Sequence, residues 1–260
     1  MLAMDGVVDD PMARYPMVEE ATATGTVAAV YAQIVAVMPI VPSVFKSLAL
    51  CPPYLVLAWD QAAAAMPGQD YDQAAAGLPA LVHAVTPPPE DPRIREALAR
   101  FVTPLSQMLL LSAGLAEALA GRLPGDPAPG HTPPAAGPSL PRWRVTSAAQ
   151  TGDENVYGDI RAALRTPLIN SIWRSLAEQG LLETAWGCLS PHVAQTRQTS
   201  RTLSDQARRT AHELAWPVIA SPAALDTAGV GDAGPGVAAI LDCYLTTLPR
   251  VLALVASSTA

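Results

Sequence analysis

Two segments of this chain are nearly the same. "PIVPSVFKSLA" runs from Pro39 to Ala49, and "PLINSIWRSLA" runs from Pro167 to Ala177. Pro, Ser, Ser, Leu and Ala recur in register, and the remaining changes are mostly conservative: Ile for Leu, Phe for Trp, Lys for Arg. The likeness extends outward. "VYAQIVAVMP" precedes the first copy and "VYGDIRAALRTP" the second. Val30, Tyr31 and Ile34 answer Val156, Tyr157 and Ile160, and Trp59 answers Trp186 with one residue of slippage. Further on, "RFVTPLSQMLLLSA" lies over "DCYLTTLPRVLALVA", with Phe101 against Tyr244 and Leu105 against Leu248. A duplicated unit of about 110–120 residues is the simplest account. Two copies with similar apolar faces bury them most readily against each other, about a pseudo-twofold axis. The groove between them is the expected pocket.

The periodicity within each copy is helical. Ile169, Ile172, Trp173 and Leu176 form one broad apolar stripe, joined by Leu168, and no stretch alternates as a strand does. Thr166–Pro167 reads as a helix start, with threonine as cap and proline at the first position, where an N–H has no partner anyway. In the first copy Pro42 falls within the opening turn. The expected fold is therefore all-α: two pseudo-twofold-related helical repeats with a cleft between them. "LPGDPAPGHTPPAAGPSLP" holds too much Pro and Gly for a helix and reads as a mobile linker carrying a solvated His131. The division is a first repeat over 1–122, a linker over 123–141 and a second repeat over 142–260.

Composition narrows the function. The formal net charge is −7, and Lys46 is the single lysine among sixteen basic residues. No clustered basic footprint for nucleic acid is present. Cys51, Cys188 and Cys243 lie far apart, and the four histidines (His83, His131, His192, His212) are scattered. Neither spacing suits a zinc site or a disulfide framework. The apolar runs are interrupted by Pro, Gly or polar residues well short of the roughly 20 needed to cross a bilayer. The N-terminus lacks the basic-then-apolar order of a secretory signal. The reading is a cytoplasmic protein without metal or cofactor, acting on a small molecule.

The arrangement Tyr-x-x-Ile, a helix, Pro, then a helix ending in Ser-Leu-Ala, given twice, resembles the group I DL-2-haloacid dehalogenases. The resemblance implies an all-helical duplicated fold. It also implies a chemistry in which a carboxylate activates water to displace halide directly, while an asparagine from the first half holds that water. Aligned on the motif, the aspartate of that family falls on Ile172 and the asparagine on Leu105. Ser171 and Tyr244 match pocket positions of the family. An isoleucine accepts no proton, and general-base assistance is worth about 10²–10⁴-fold, so hydrolytic dehalogenation loses its base.

A substrate that carries its own nucleophile needs no activated water. Holding nucleophile and leaving group in line can supply roughly 7–11 kcal/mol of the barrier. Ring closure of an amine onto a carbon bearing sulfate or halide, as in aziridine formation, is the reaction class that fits. Candidate donors are Ser171 and its counterpart Ser43, with Asn170 beside Ser171. Lys46 and its counterpart Arg174 suit an anion; the alternative for both is a solvated helix flank. Tyr31 and Tyr157 could reach a pocket or could be core, and Tyr244 gains weight from the family match. Asp242 lies in the apolar "AAILDCYLTTL", where a carboxylate is costly unless paired. It is either a base with a raised pKa or the partner of Arg100 or Arg250. A reading from another class is a non-catalytic helical subunit whose Ala-rich surface a protein partner covers.

Overall fold

The computed structural model describes residues 17–83, 86–125, 153–166 and 169–259. Among them the regular elements are all helical, as the periodicity predicts. The first half gives α1 (Gly25–Val37), α2 (Ser43–Leu48), α3 (Pro52–Ala65), α4 (Gln69–Gly77) and the long α5 (Pro92–Leu119). The second gives α6 (Asp153–Leu164), α7 (Ser171–Glu178), α8 (Leu182–Leu189), α9 (Arg197–Glu213), α10 (Pro222–Thr227) and the long α11 (Gly234–Thr259). Most of the proposed linker, with His131, lies outside the described residues.

The two long helices pack against each other, and α9 lies against both. Leu109, Leu110, Leu111, Leu115, Val251, Leu252 and Leu254 are fully buried there, in an apolar cluster to which both halves contribute. The short helices cross over. α2, from the first half, packs on α11, and α7, from the second, packs on α5. Both long helices are long and apolar enough to cross a membrane, and both are mostly covered by the rest of the chain.

Three local expectations need correction. First, the prolines do not break the long apolar runs: α5 continues through Pro104 and α11 through Pro249. A proline inside a helix removes the hydrogen bond to the carbonyl four residues earlier and costs about 3 kcal/mol. At Pro249 the carbonyl so released is that of Leu245, and Ser204 Oγ on α9 donates to it at 3.4 Å. Burial of nearly every neighbouring side chain outweighs the remaining cost. Second, the helix expected to start at Thr166–Pro167 begins later, at Ser171. Thr166 Oγ1 lies 2.6 Å from Thr247 Oγ1 on α11, within the interior. Third, α7 begins at Ser171 with Asn170 as N-cap, as α2 begins at Ser43 after Pro42. Ile169 therefore precedes the helix, although it remains buried.

Gly114 on α5 admits the ring of Trp216. A Cβ at this position would stand 2.6 Å from Trp216 Cζ2. Helix propensity favours alanine by about 1 kcal/mol, but overpacking costs about 1–3 kcal/mol, and the ring edge is rigid. Gly114→Ala is expected to lower the unfolding midpoint in denaturant, with an unchanged slope. An unchanged or higher midpoint would mean that Trp216 moves freely.

Candidate functional site

The sequence candidates converge where the two halves meet. Ser43, at the start of α2, and Ser171, at the start of α7, place their Oγ atoms 3.2 Å apart. One turn along α2, Ser47 Oγ lies 2.9 Å from the hydroxyl of Tyr244 on α11. Tyr244 is almost completely buried. Burial pushes its phenol well above the ordinary value, only partly offset by the Ser47 hydrogen bond, so it stays a neutral O–H and serves as a donor or acceptor, not a base. Asn170 is 4% exposed, and its Oδ1 has no hydrogen-bond partner among the described residues. A buried acceptor left unmatched is uncommon in a folded protein.

Lys46 and Arg174 are not solvated flanks. The side chain of Lys46 is 5% exposed and that of Arg174 is 24% exposed. The segment before α1 lies over both. Val18 N donates to Lys46 O at 3.0 Å, and Tyr31 Oη donates to Val18 O at 2.8 Å. This strap delivers Glu19 between the two cations. Lys46 Nζ donates to Glu19 Oε2 at 3.0 Å, and Arg174 Nη1 to Glu19 Oε1 at 2.9 Å. Lys46 Nζ also stands 3.0 Å from Glu20 Oε1. Burial acts to raise the Glu19 pKa, but the hydrogen bonds from Arg174 and Lys46 outweigh it and hold the carboxyl below the usual range. A carboxylate so held is a weak base. Glu19 is a residue that sequence reasoning missed. Its only signal was the pair "EE" just ahead of the first helix.

The remaining candidates separate. Tyr31 is fully buried and Tyr157 nearly so. Burial, followed by the charges of Glu19 and Glu20, drives the Tyr31 phenol far upward. Asp242 requires a correction. Its side chain is 71% exposed and pairs with Arg208 at 3.6 Å, because it falls on the solvent side of α11, so it is neither a buried acid nor the partner of Arg100 or Arg250. Arg100 instead pairs with Glu96, and Arg250 donates to the carbonyls of Leu164 and Arg165. Ile172 and Leu105 are both buried apolar side chains.

Among the described residues a buried carboxylate lies elsewhere. Glu117, near the end of α5, has a side chain only 4% exposed. It accepts from Arg122 at 2.7 and 2.9 Å, from Arg208 at 2.6 Å and from His212 at 3.1 Å. Gly121 makes this geometry. With φ at +66° it turns the chain back, so that Arg122 N donates to Glu117 O at 2.9 Å and the guanidinium meets the carboxylate. Beside it is a cavity of ≈ 360 Å³ lined by Arg122, Arg208, Asp226 and Asp242 among others. A second cavity, of ≈ 310 Å³, lies between α6, α9 and α11. Apart from Asp242, the sequence candidates line neither.

No protein-family description matches the chain, and no curated protein matches it by sequence. Solved structures do match. The complex of a D-2-haloacid dehalogenase mutant with D-2-CPA superposes with a TM-score of 0.77 at 19% identity, covering 94% of each chain. The complex of a D-2-haloacid dehalogenase with L-LA gives 0.72 at 19%, over 94% of this chain and 95% of that one. A further dehalogenase mutant gives 0.76 at 19%, over 94% of each. The chain has the fold of the 2-haloacid dehalogenases. At this identity the likeness concerns architecture, and it supports the resemblance drawn from the duplicated motif.

Proposed function

We propose that this protein is a dehalogenase-like enzyme that displaces an anionic leaving group from carbon, with the nucleophile supplied by the substrate rather than by activated water. One observation carries this reading: the cluster between the halves is rich in donors and poor in bases. Ser43, Ser47, Ser171, Tyr244 and Asn170 are gathered there, and Glu19 is held by Lys46 and Arg174. On the family alignment the water-activating position is Ile172, which is apolar and buried. Donors aimed at a departing anion stabilise the charge that develops in the transition state, and a dry site strengthens the effect.

The finer proposal is intramolecular ring closure. The amine lone pair of the substrate forms the N–C bond as the C–O bond to sulfate, or the C–halogen bond, breaks. The leaving group departs with the electron pair, and the surplus ammonium proton passes to solvent. The product is an aziridine.

The test is to incubate purified protein with a vicinal amino-sulfate, a vicinal amino-halide and a simple 2-haloacid in ¹⁸O-labelled water. Sulfate or halide release with a cyclic product free of ¹⁸O is expected. Hydroxy acid carrying ¹⁸O from the 2-haloacid would instead establish hydrolysis. Release from none of the three would end the enzymatic reading.

Glu19 also favours a specific role. It sits where a substrate carboxylate would be received, between two cations. Glu19→Gln is expected to lower KM for an acidic substrate several-fold by removing this internal competitor, with kcat little changed. A collapse of kcat would identify Glu19 as the base and return the reaction to hydrolysis.

A further inference from the structure

The cavity between α6, α9 and α11 has an unusual lining for this chain. Arg165, Arg197, Arg201 and Arg250 contribute to it, and no Asp or Glu does. The protein carries a formal charge of −7, so acids are plentiful, and other arginines find them: Arg93 with Asp91, Arg100 with Glu96, Arg122 and Arg208 with Glu117, Arg174 with Glu19. None of the four in the cavity has an ion pair among the described residues. They repel one another instead. Burial, then Arg165 and Arg197, lower the pKa of Arg250.

The backbone adds to this field. α9 begins at the cavity, with Thr196 as N-cap, no acidic residue in its first turn and no side-chain cap hydrogen bond. The positive end of that helix dipole is therefore uncompensated. Arg197 and Arg201 stand four residues apart on it, a like-charge spacing that destabilises a helix. The opposite wall is fixed. Arg250 is anchored on the carbonyls of Leu164 and Arg165 at the end of α6. Among the described residues Arg165 is the non-glycine residue held in the left-handed region, with φ at +48°. Such backbone is strained and persists where the surroundings enforce it.

We propose that this cavity is a binding site for a tetrahedral oxyanion, phosphate or sulfate, either free or as the end of a small organic ester. Guanidinium groups match such oxygens in bidentate fashion. The ≈ 310 Å³ volume exceeds what the anion alone needs. Ser200 and Ser204 are not available to it, since their hydroxyls are engaged by the carbonyls of Thr196 and Leu245. Recognition falls to the arginines and the helix end. The site is separate from the donor cluster between the halves and does not depend on its chemistry.

The test measures thermal shift and calorimetric binding of sodium phosphate, sodium sulfate and adenosine monophosphate, each against sodium chloride at matched ionic strength. Wild-type protein is expected to show a saturable rise in Tm. In the Arg197→Gln/Arg201→Gln variant the affinity should fall about tenfold or more, while the ligand-free Tm stays level or rises as repulsion is relieved. Both residues are exposed, so the variant should fold, and Arg201→Gln alone serves if it does not. Equal responses to phosphate and sulfate would assign a free oxyanion; a response to the nucleotide alone would assign an ester. No saturable shift beyond chloride, or the same shift in the variant, would overturn the proposal.

Discussion

Glu117→Ala is expected to be strongly destabilising. It leaves Arg122, Arg208 and His212 converging on nothing. Removing one partner of a buried ion pair costs about 3–5 kcal/mol. Because Arg122 and Arg208 are partly exposed, at 56% and 34%, water compensates some of this, and about 3 kcal/mol is the working figure. That corresponds to a Tm lower by about 6–12 °C for a chain of this size. Glu117→Gln keeps an acceptor and should lose roughly half as much.

The same residue sets an acid limit. Hydrogen bonding from Arg122, opposed by burial and reinforced by Arg208 and His212, lowers its pKa from 4.5 to about 2. A folded-state pKa below the unfolded one contributes stability that is fully present above pH 4.5 and fades as pH falls towards 2. Screening around the arginines leaves about 1–2 kcal/mol attributable to this linkage. The gap in unfolding free energy between wild type and Glu117→Ala should therefore narrow between pH 5 and pH 2. A constant gap across that range would mean that the carboxyl titrates alike in the folded and unfolded chain.

Glu117 also shows how far a sequence can be read. The rule that a carboxylate in an apolar helix must be paired was sound, but it points to "LAEALAGR" as strongly as to "AILDCYL". Periodicity alone does not say which side of a wholly apolar helix faces outward. Asp242 falls on the outer side of α11, whereas Glu117 falls on the inner side of α5, towards α9. The helical class was legible because it rests on local pattern, and the matched motif drew attention to Ser43 and Ser171, which the fold brings to 3.2 Å. Glu19 was not, because its meaning depends on a strap that returns across Lys46 and Arg174, and neither charge spacing nor composition encodes that path. The prolines misled for a related reason. Pro249 reads as a breaker locally, yet tertiary burial and the hydroxyl of Ser204 carry the helix through it.

Tyr244 gives the sharpest test of chemistry against architecture. Among the described residues its hydroxyl pairs with Ser47 Oγ at 2.9 Å, and burial keeps it protonated. If it serves only to join α2 to α11, then Tyr244→Phe and Ser47→Ala remove the same hydrogen bond from opposite ends. Each should cost about 1 kcal/mol of stability and affect turnover equally. If instead it donates to the departing anion, Tyr244→Phe should lower kcat about 10²-fold with KM nearly unchanged, since the interaction strengthens only as charge develops on the leaving group. Ser47→Ala would then reduce kcat far less, and the Tyr244→Phe deficit should grow with a poorer leaving group. Asp242→Asn, on the solvent side of the same helix, is the control and should leave both constants unaltered. Equal losses in Tyr244→Phe and Ser47→Ala would return Tyr244 to the core and leave the departing anion to Ser43, Ser171 and Asn170.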